Sequence, residues 1–131
     1  EILTCDWSSD VCSSDLGHIA VAQVIDQGRE RLAEGIWLTI FTEGHRMPAG
    51  QTKKYGISGA ALASEVQCPV LPVAHNAGDL WPRRGLRKKP GMIRFCIGPP
   101  IEPGNLPPKE LNLAVQEWVE NKMQEISVFY R

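Results

Sequence analysis

The alternation of helix-type and strand-type apolar patterns most limits what this 131-residue chain can form. Three segments carry apolar side chains at helical spacing: 21–32, 57–66 and the segment that follows Pro107-Pro108. Three short, almost continuous apolar runs have the character of strands: 36–41, 69–74 and 92–97. The pattern predicts the order helix, strand, helix, strand, strand, helix. We therefore expect an α/β domain in which a mostly parallel or mixed sheet is flanked by helices, with the first run covered on both faces.

Polar residues follow two of the predicted strands directly. Glu43, Gly44 and Arg46 come after the first apolar run, and His75 and Asn76 come after the second. Binding sites of layered α/β sheets form beyond the carboxyl ends of the strands. We therefore expect the two polar groups to meet at one edge of the sheet.

The residues around Gly44 have the chemistry of an anion site. The guanidinium of Arg46 can bind two phosphate oxygens at once, and Lys53 and Lys54 add positive charge. Gly44 lets backbone N–H groups approach a phosphate closely, and Glu43 would orient Arg46 or accept backbone hydrogen bonds. The same spacing fits a plain turn with an exposed Glu–Arg pair, which contributes little. From the spacing alone, both interpretations stand.

His75 is the second candidate for chemistry. A histidine at a strand end can act as a general base, and Asp79 lies close enough in sequence to orient the imidazole. A single histidine more often makes only structural hydrogen bonds, so this pairing remains an alternative. The spacing of side chains matches neither a metal site nor a phosphate-binding glycine loop. We expect no metal and no resident cofactor.

One loop combines an aromatic residue with a run of positive charge. It contains Trp81, Arg83, Arg84, Arg87, Lys88 and Lys89. Each cation near an anionic membrane contributes on the order of 1 kcal/mol, and tryptophan favours the headgroup region. The loop therefore predicts a peripheral membrane contact, with a solvated basic loop as the simpler alternative. The formal net charge of -1 argues against a nucleic-acid partner.

Two blocks, in this order, carry a family resemblance. The block FTEGHR at 41–46 is similar to a Phe-Pro-Glu-Gly-Thr-Arg block, and LPVAHN at 71–76 contains the equivalent of a Val-Pro-Val block. Together they resemble the C-terminal part of the 1-acylglycerol-3-phosphate acyltransferases (lysophosphatidic acid acyltransferases) of the glycerolipid acyltransferase superfamily. The resemblance covers about 17–101. Thr42 and His45 depart from it, since proline and threonine stand there in the family block.

The resemblance implies a membrane-associated enzyme of phospholipid biosynthesis. Such an enzyme transfers an acyl group from acyl-CoA or acyl-carrier protein to lysophosphatidate, giving phosphatidate at the cytoplasmic face of the bacterial inner membrane. The resemblance also implies that Glu43, Gly44 and Arg46 help to bind the glycerol phosphate. The resemblance associates the block around Pro72 with the acyl-donor side of the site. His75 and Asn76 are further candidates for residues that support the site. The implied fold is that of the glycerolipid acyltransferases, here without its N-terminal strands.

The family's catalytic element, His-x-x-x-x-Asp, does not occur in the sequence. None of the three histidines has an aspartate five positions on; the residues found there are Gln23, Gly50 and Leu80. In the family this histidine deprotonates the acceptor hydroxyl. We therefore expect a fragment that keeps the phosphate-binding block, lacks the catalytic residues and is inactive alone.

Residues 1–16 differ from the rest of the chain. They read EILTCDWSSDVCSSDL, repeat Ser-Ser-Asp and show neither a helical nor a strand period. A reverse translation of 11–16 resembles the end of a sequencing adapter. We expect 1–16 to be a non-native or disordered leader, and 17–131 to be the C-terminal part of an acyltransferase domain.

Two other functions remain open. One is a non-catalytic module that binds anionic lipid through Trp81 and the basic loop. The other is a phosphate-handling enzyme of a different fold, which would need a nucleophile or a set of metal ligands that the sequence does not show.

Overall fold

The computed structural model describes residues 14–44, 47–82 and 87–130. In these ranges the elements are α1 (Ser14–Ala33), α2 (Ser58–Val66), β1 (Val73–His75), α3 (Ala77–Leu80), β2 (Phe95–Ile97) and α4 (Pro108–Ile126). The three long helices lie where the apolar periodicity predicts them. Helix α1 begins at Ser14, inside the expected leader, of which 1–13 lie outside the described residues.

Gly35 ends α1. Its φ of 78° lies in the left-handed region, which glycine adopts without strain. The N–H of Gly35 donates to the carbonyl of Leu32, and the N–H of Ile36 donates to the carbonyl of Arg31, both at 3.0 Å. This pair of bonds is a Schellman motif, which satisfies carbonyls that the helix end would leave free.

Small residues allow α2 to pack between α1 and α4. The core contains the buried residues Ala60, Ala63 and Leu111. Gly28 of α1 lies directly against the side chain of Leu62 on α2, which is 3% exposed. The close approach of α1 therefore depends on the absence of a side chain at residue 28.

The sheet is a single antiparallel pair in the part of the chain that the structure describes. Val73 is opposite Ile97, Ala74 is opposite Cys96, and His75 is opposite Phe95. Ala74 points into the core, whereas four alternating side chains on the other face are exposed. Helix α4 packs against β1. The small sheet thus has one packed face and one face in solvent.

The structure corrects the predicted sheet in three respects. Helices and a sheet are both present, as an α/β domain requires, but the observed sheet is an antiparallel pair rather than a mostly parallel or mixed sheet. The strands at 69–74 and 92–97 are shorter than predicted. The strand predicted at 36–41 is wrong: this segment has a single bridge position at Thr39, and Trp37 is 79% exposed. An apolar run becomes a strand only where a neighbour satisfies its backbone.

No described helix combines the length and hydropathy that crossing a membrane would require.

Candidate functional site

The first block lies on a tight turn. The N–H of Gly44 donates to the carbonyl of Phe41 at 3.0 Å, and the N–H of Gly56 donates to the carbonyl of Thr42 at 2.7 Å. Gly44 has a φ of 74°, and a Cβ at this position would meet no atom within 4 Å. Glycine is therefore favoured by the backbone conformation and not by lack of space. Arg46 and His45 lie outside the described residues.

The charge of a second carboxylate, which the sequence pattern did not assign to the site, acts on Glu43. Glu43 is half-buried, and its pKa is raised, first by burial and then by the charge of Glu120 on α4. The hydroxyl of Tyr55, a buried residue, donates to Glu120 Oε1 at 3.1 Å. Burial, followed by the charge of Glu120, also raises the pKa of Tyr55. We call four electrostatically coupled residues the Glu–Tyr cluster: Glu43, Tyr55, Glu120 and Tyr130.

Helix α4 also holds the backbone of the loop that follows the turn. Asn112 Nδ2 donates to the carbonyl of Tyr55 at 3.2 Å, and both residues are buried. Gln116 Nε2 donates to the carbonyl of Lys53 at 3.4 Å. Lys53 and Lys54 are exposed on this loop. Their backbone is fixed while their side chains are in solvent, where an anion can reach them.

His75 and Asp79 do not form the dyad considered above. Nδ1 of His75 accepts the N–H of Ala77 at 3.3 Å, and the imidazole lies parallel to the Phe95 ring at 6.1 Å. Asp79 is buried, and both of its carboxylate oxygens accept hydrogen bonds from the C-terminal segment, from Ser127 Oγ at 2.7 Å and from the N–H of Val128 at 3.1 Å. The carboxylate therefore anchors the end of the chain.

Asn76 and Pro72 support the site from within the fold. Asn76 Oδ1 accepts the N–H of Arg94 at 2.7 Å, and its Nδ2 donates to the carbonyl of Ile126 at 3.2 Å. Pro72 is fully buried, and its carbonyl accepts the N–H of Gly98 at 2.8 Å. The hydrogen bonds of Asn76 join the end of β1 to the segment before β2 and to the end of α4. This side chain was predicted as a candidate ligand contact, and it has a structural role here.

The basic loop displays an aromatic residue and cations together. Trp81 is 58% exposed, and Lys88 Nζ lies 4.0 Å from the centre of its ring. Lys89 Nζ lies 5.9 Å from the centre of the Phe129 ring. Arg87 is exposed, whereas Arg83 and Arg84 lie outside the described residues.

The two polar groups that were expected to meet at one sheet edge are linked through a third residue, Tyr130. The pKa of Tyr130 is raised by burial and then by the charges of Glu120, Glu43 and Asp79, so charges from both sides of the site act on this residue. In the described ranges, no three His, Cys, Asp or Glu side chains are grouped as a metal site would require.

Known proteins show a relationship over most of this chain. It is 45% identical over 112 residues to the 1-acyl-sn-glycerol-3-phosphate acyltransferase of Pseudomonas aeruginosa, a match that covers 83% of this chain and 44% of the relative. Its fold matches the crystal structure of the 1-acyl-sn-glycerophosphate (LPA) acyltransferase PlsC from Thermotoga maritima with a TM-score of 0.66 and 25% identity. That match covers 81% of this chain and 43% of PlsC.

No protein-family model matches the chain. The chain spans less than half of the length of the two relatives, in agreement with the partial resemblance found in its sequence. Over the matched residues, this chain is a homologue of the 1-acyl-sn-glycerol-3-phosphate acyltransferases, an enzyme family.

Proposed function

We propose that this chain forms the phosphate-binding part of an enzyme that acylates 1-acylglycerol-3-phosphate to phosphatidate. The observation that carries the proposal is the 45% identity over 112 residues to an acyltransferase named for this acceptor. The acyl donor, acyl-CoA or acyl-carrier protein, is a second substrate, and the proposal includes no resident cofactor.

The reaction needs a base that the three histidines of this chain do not supply in the family spacing. The acceptor hydroxyl oxygen forms an ester bond to the acyl carbonyl carbon while the thioester C–S bond breaks. The hydroxyl proton passes to the base and then to the leaving thiolate. We propose that this chain holds the phosphate of the acceptor and that the base belongs to residues outside this chain.

The geometry of the first block supports a phosphate-binding role. The turn at Gly44 is fixed by two backbone hydrogen bonds, and α4 fixes the loop that carries Lys53 and Lys54. Fixing these segments before a ligand arrives lowers the entropy lost on binding. We propose that Glu43 and Gly44 shape the turn and that Arg46 binds the phosphate.

Binding of lysophosphatidate to the purified chain, measured by calorimetry below the micelle concentration, tests the proposal. Arg46→Ala should weaken binding about ten- to a hundred-fold, since charge-assisted hydrogen bonds are lost. Arg31→Ala is the matched control, because Arg31 is an exposed arginine paired with Glu34. Lysophosphatidylcholine, whose phosphate carries a second ester to choline, should bind more weakly than lysophosphatidate, whose phosphate is a monoester. Equal binding by the Arg46 and Arg31 variants would refute the assigned phosphate site.

Acyl transfer by the chain alone is a separate test. We expect no phosphatidate when the purified chain is incubated with lysophosphatidate and acyl-CoA or acyl-carrier protein. Product formation that depends on this chain would show that a base exists within it.

The basic loop supports a second function, non-catalytic binding to anionic lipid. Exposed Trp81 lies beside Lys88, and exposed Met92 follows the loop, so an aromatic ring, positive charge and apolar surface occur together. We propose that this surface contacts the cytoplasmic face of the bacterial inner membrane. Trp81 would lie among the headgroups and the cations near anionic lipid.

Sedimentation with vesicles tests the membrane contact. Binding should be stronger to vesicles that contain phosphatidylglycerol than to pure phosphatidylcholine, and it should weaken as salt is added. Trp81→Ala and the double substitution Lys88→Gln, Lys89→Gln should each lower binding. Lys109→Gln removes an exposed cation from the start of α4 as a control. Equal binding to neutral and anionic vesicles would exclude the contact.

A further inference from the structure

We call the segment Ser127–Tyr130, which follows α4, the C-terminal strap. It is attached to α3, which is remote from it in sequence. Ser127 is 1% exposed, and its hydroxyl donates to Asp79 Oδ1 at 2.7 Å. Asp79 Oδ2 accepts the N–H of Val128 at 3.1 Å. Both oxygens of a buried carboxylate thus hold the start of the strap, next to the end of β1.

The other end of the strap contacts the loop that follows the first block. The Tyr130 hydroxyl donates to the carbonyl of Gln51 at 3.1 Å. A Cβ built at Gly50 would lie 2.7 Å from the carbonyl oxygen of Phe129, too close for a real side chain. Gly50 also has a φ of 83°. The absence of a side chain at residue 50 therefore lets the strap lie directly on the loop.

The strap also contributes one member, Tyr130, to the Glu–Tyr cluster. The charges of Glu120, Glu43 and Asp79 all contribute, after burial, to raising the pKa of Tyr130. The carboxylates of the first block and of Asp79 therefore both act on Tyr130 electrostatically, in addition to its hydrogen bond to the carbonyl of Gln51. The contacts of the strap therefore extend from Gly50 and Gln51, in the loop after the first block, to Asp79, just beyond the end of β1.

We infer that the C-terminal strap is a positioning device that holds the loop carrying the phosphate-binding block in place against the His75–Asp79 segment. The hydrogen bond between Ser127 and Asp79 anchors the strap, and the hydrogen bond from Tyr130 holds Gln51. The inference deepens the proposed function and rests on it for the identity of the ligand. Its physical content is preorganisation: the strap restricts the loop before the phosphate binds.

The ligand-free test is amide hydrogen exchange by NMR in Tyr130→Phe. The reporters are the amides of Gln51 and Gly56, which donate within this loop to Pro48 and Thr42. Loss of one hydrogen bond should raise their exchange rates about five-fold, whereas the amides of α1 should not change. Val128→Thr is the matched control, because the Val128 side chain is 63% exposed on the same strap. Ser127→Ala removes the hydrogen bond to Asp79 and should also raise the exchange rates of the Gln51 and Gly56 amides.

The ligand test uses lysophosphatidate binding and thermal unfolding of the same variants. Tyr130→Phe should weaken binding about three- to ten-fold relative to Val128→Thr, while its Tm falls only by the few degrees expected for loss of one hydrogen bond. A uniform rise of exchange across the chain, or no rise at Gln51 and Gly56, would overturn the inference. Faster loop exchange with unchanged affinity would also overturn it. If the unmodified chain binds no lysophosphatidate, the proposed function fails, and the exchange experiment still decides whether the strap restrains the loop.

Discussion

The hydroxyl of Tyr55 donates a 3.1 Å hydrogen bond to Glu120, joining the loop after the first block to the middle of α4. Tyr55 is 6% exposed, and its backbone carbonyl accepts a second bond from Asn112 of the same helix. The loop is therefore held to α4 through both a side chain and the backbone.

Tyr55→Phe removes only the hydroxyl and should destabilise the chain by about 1 kcal/mol. Urea unfolding followed by circular dichroism measures the difference. Arg31→Ala, which breaks an exposed ion pair with Glu34, should cost about 0.5 kcal/mol or less. A cost for Tyr55→Phe no larger than that of Arg31→Ala would mean that the bond to Glu120 contributes nothing measurable.

Glu43→Gln should stabilise the chain in a pH-dependent way. Burial and the charge of Glu120 raise the pKa of Glu43 above its usual 4.5, so the folded chain holds this proton to higher pH than the unfolded chain. Folding stability is therefore lost as pH rises from about 4.5 through the raised pKa, and it stays lower above it. The advantage of the Gln variant should be absent below pH 4.5 and present at neutral pH. Unfolding free energies across this range test it.

A loss of stability caused by Glu43→Gln would also be informative. If Glu43→Gln becomes less stable than the unmodified chain as pH rises, the ionised carboxylate has a favourable partner. Arg46 would be the first residue to test, by combining the substitution with Arg46→Ala.

Gly28→Ala should destabilise the contact between α1 and α2. A methyl group gains up to about 1 kcal/mol in helix propensity, but forcing one into a packed interface costs about 1–3 kcal/mol, so we expect a net loss. Leu62→Ala removes the side chain that a Cβ at Gly28 would meet. The double variant should therefore lose less stability than the sum of the two single losses, as a double-mutant cycle would show. Strict additivity would contradict the close contact.

Asn76→Asp should be strongly destabilising at neutral pH. Asn76 is 8% exposed, and its Nδ2 donates to the carbonyl of Ile126. An aspartate would place a carboxylate oxygen against that carbonyl and bury a charge, at a cost of about 2–4 kcal/mol. Protonation would restore a donor, so the loss should shrink as pH falls. Asn121→Asp on the exposed side of α4 serves as the control, and equal losses would rule out the structural role of Asn76.

The helices followed from the sequence because their cause is local. Apolar residues at a period of 3.6, Gly35 after α1 and Pro107-Pro108 before α4 are all visible along the chain. The prediction at 36–41 failed because a strand depends on a neighbour. The composition of an apolar run does not show whether that neighbour exists.

The site was predictable only in part, for a similar reason. The blocks around Glu43 and His75 were visible as polar residues after apolar runs, and the acyltransferase resemblance they carried is confirmed. Glu120 was missed because its partner, Tyr55, lies 65 residues earlier in the chain. The role of Asp79 was missed because its partners, Ser127 and Val128, lie far along the chain. Nothing local marks such a pairing.

The strap is synthesised after the loop that it holds. A ribosome adds roughly 5–20 residues each second, so Glu43 and Gly50 are made several seconds before Ser127 and Tyr130. During that interval, the loop after the first block lacks the contacts that later fix it. The loop after the first block therefore becomes fixed late in the synthesis of each chain, although its own residues are made early.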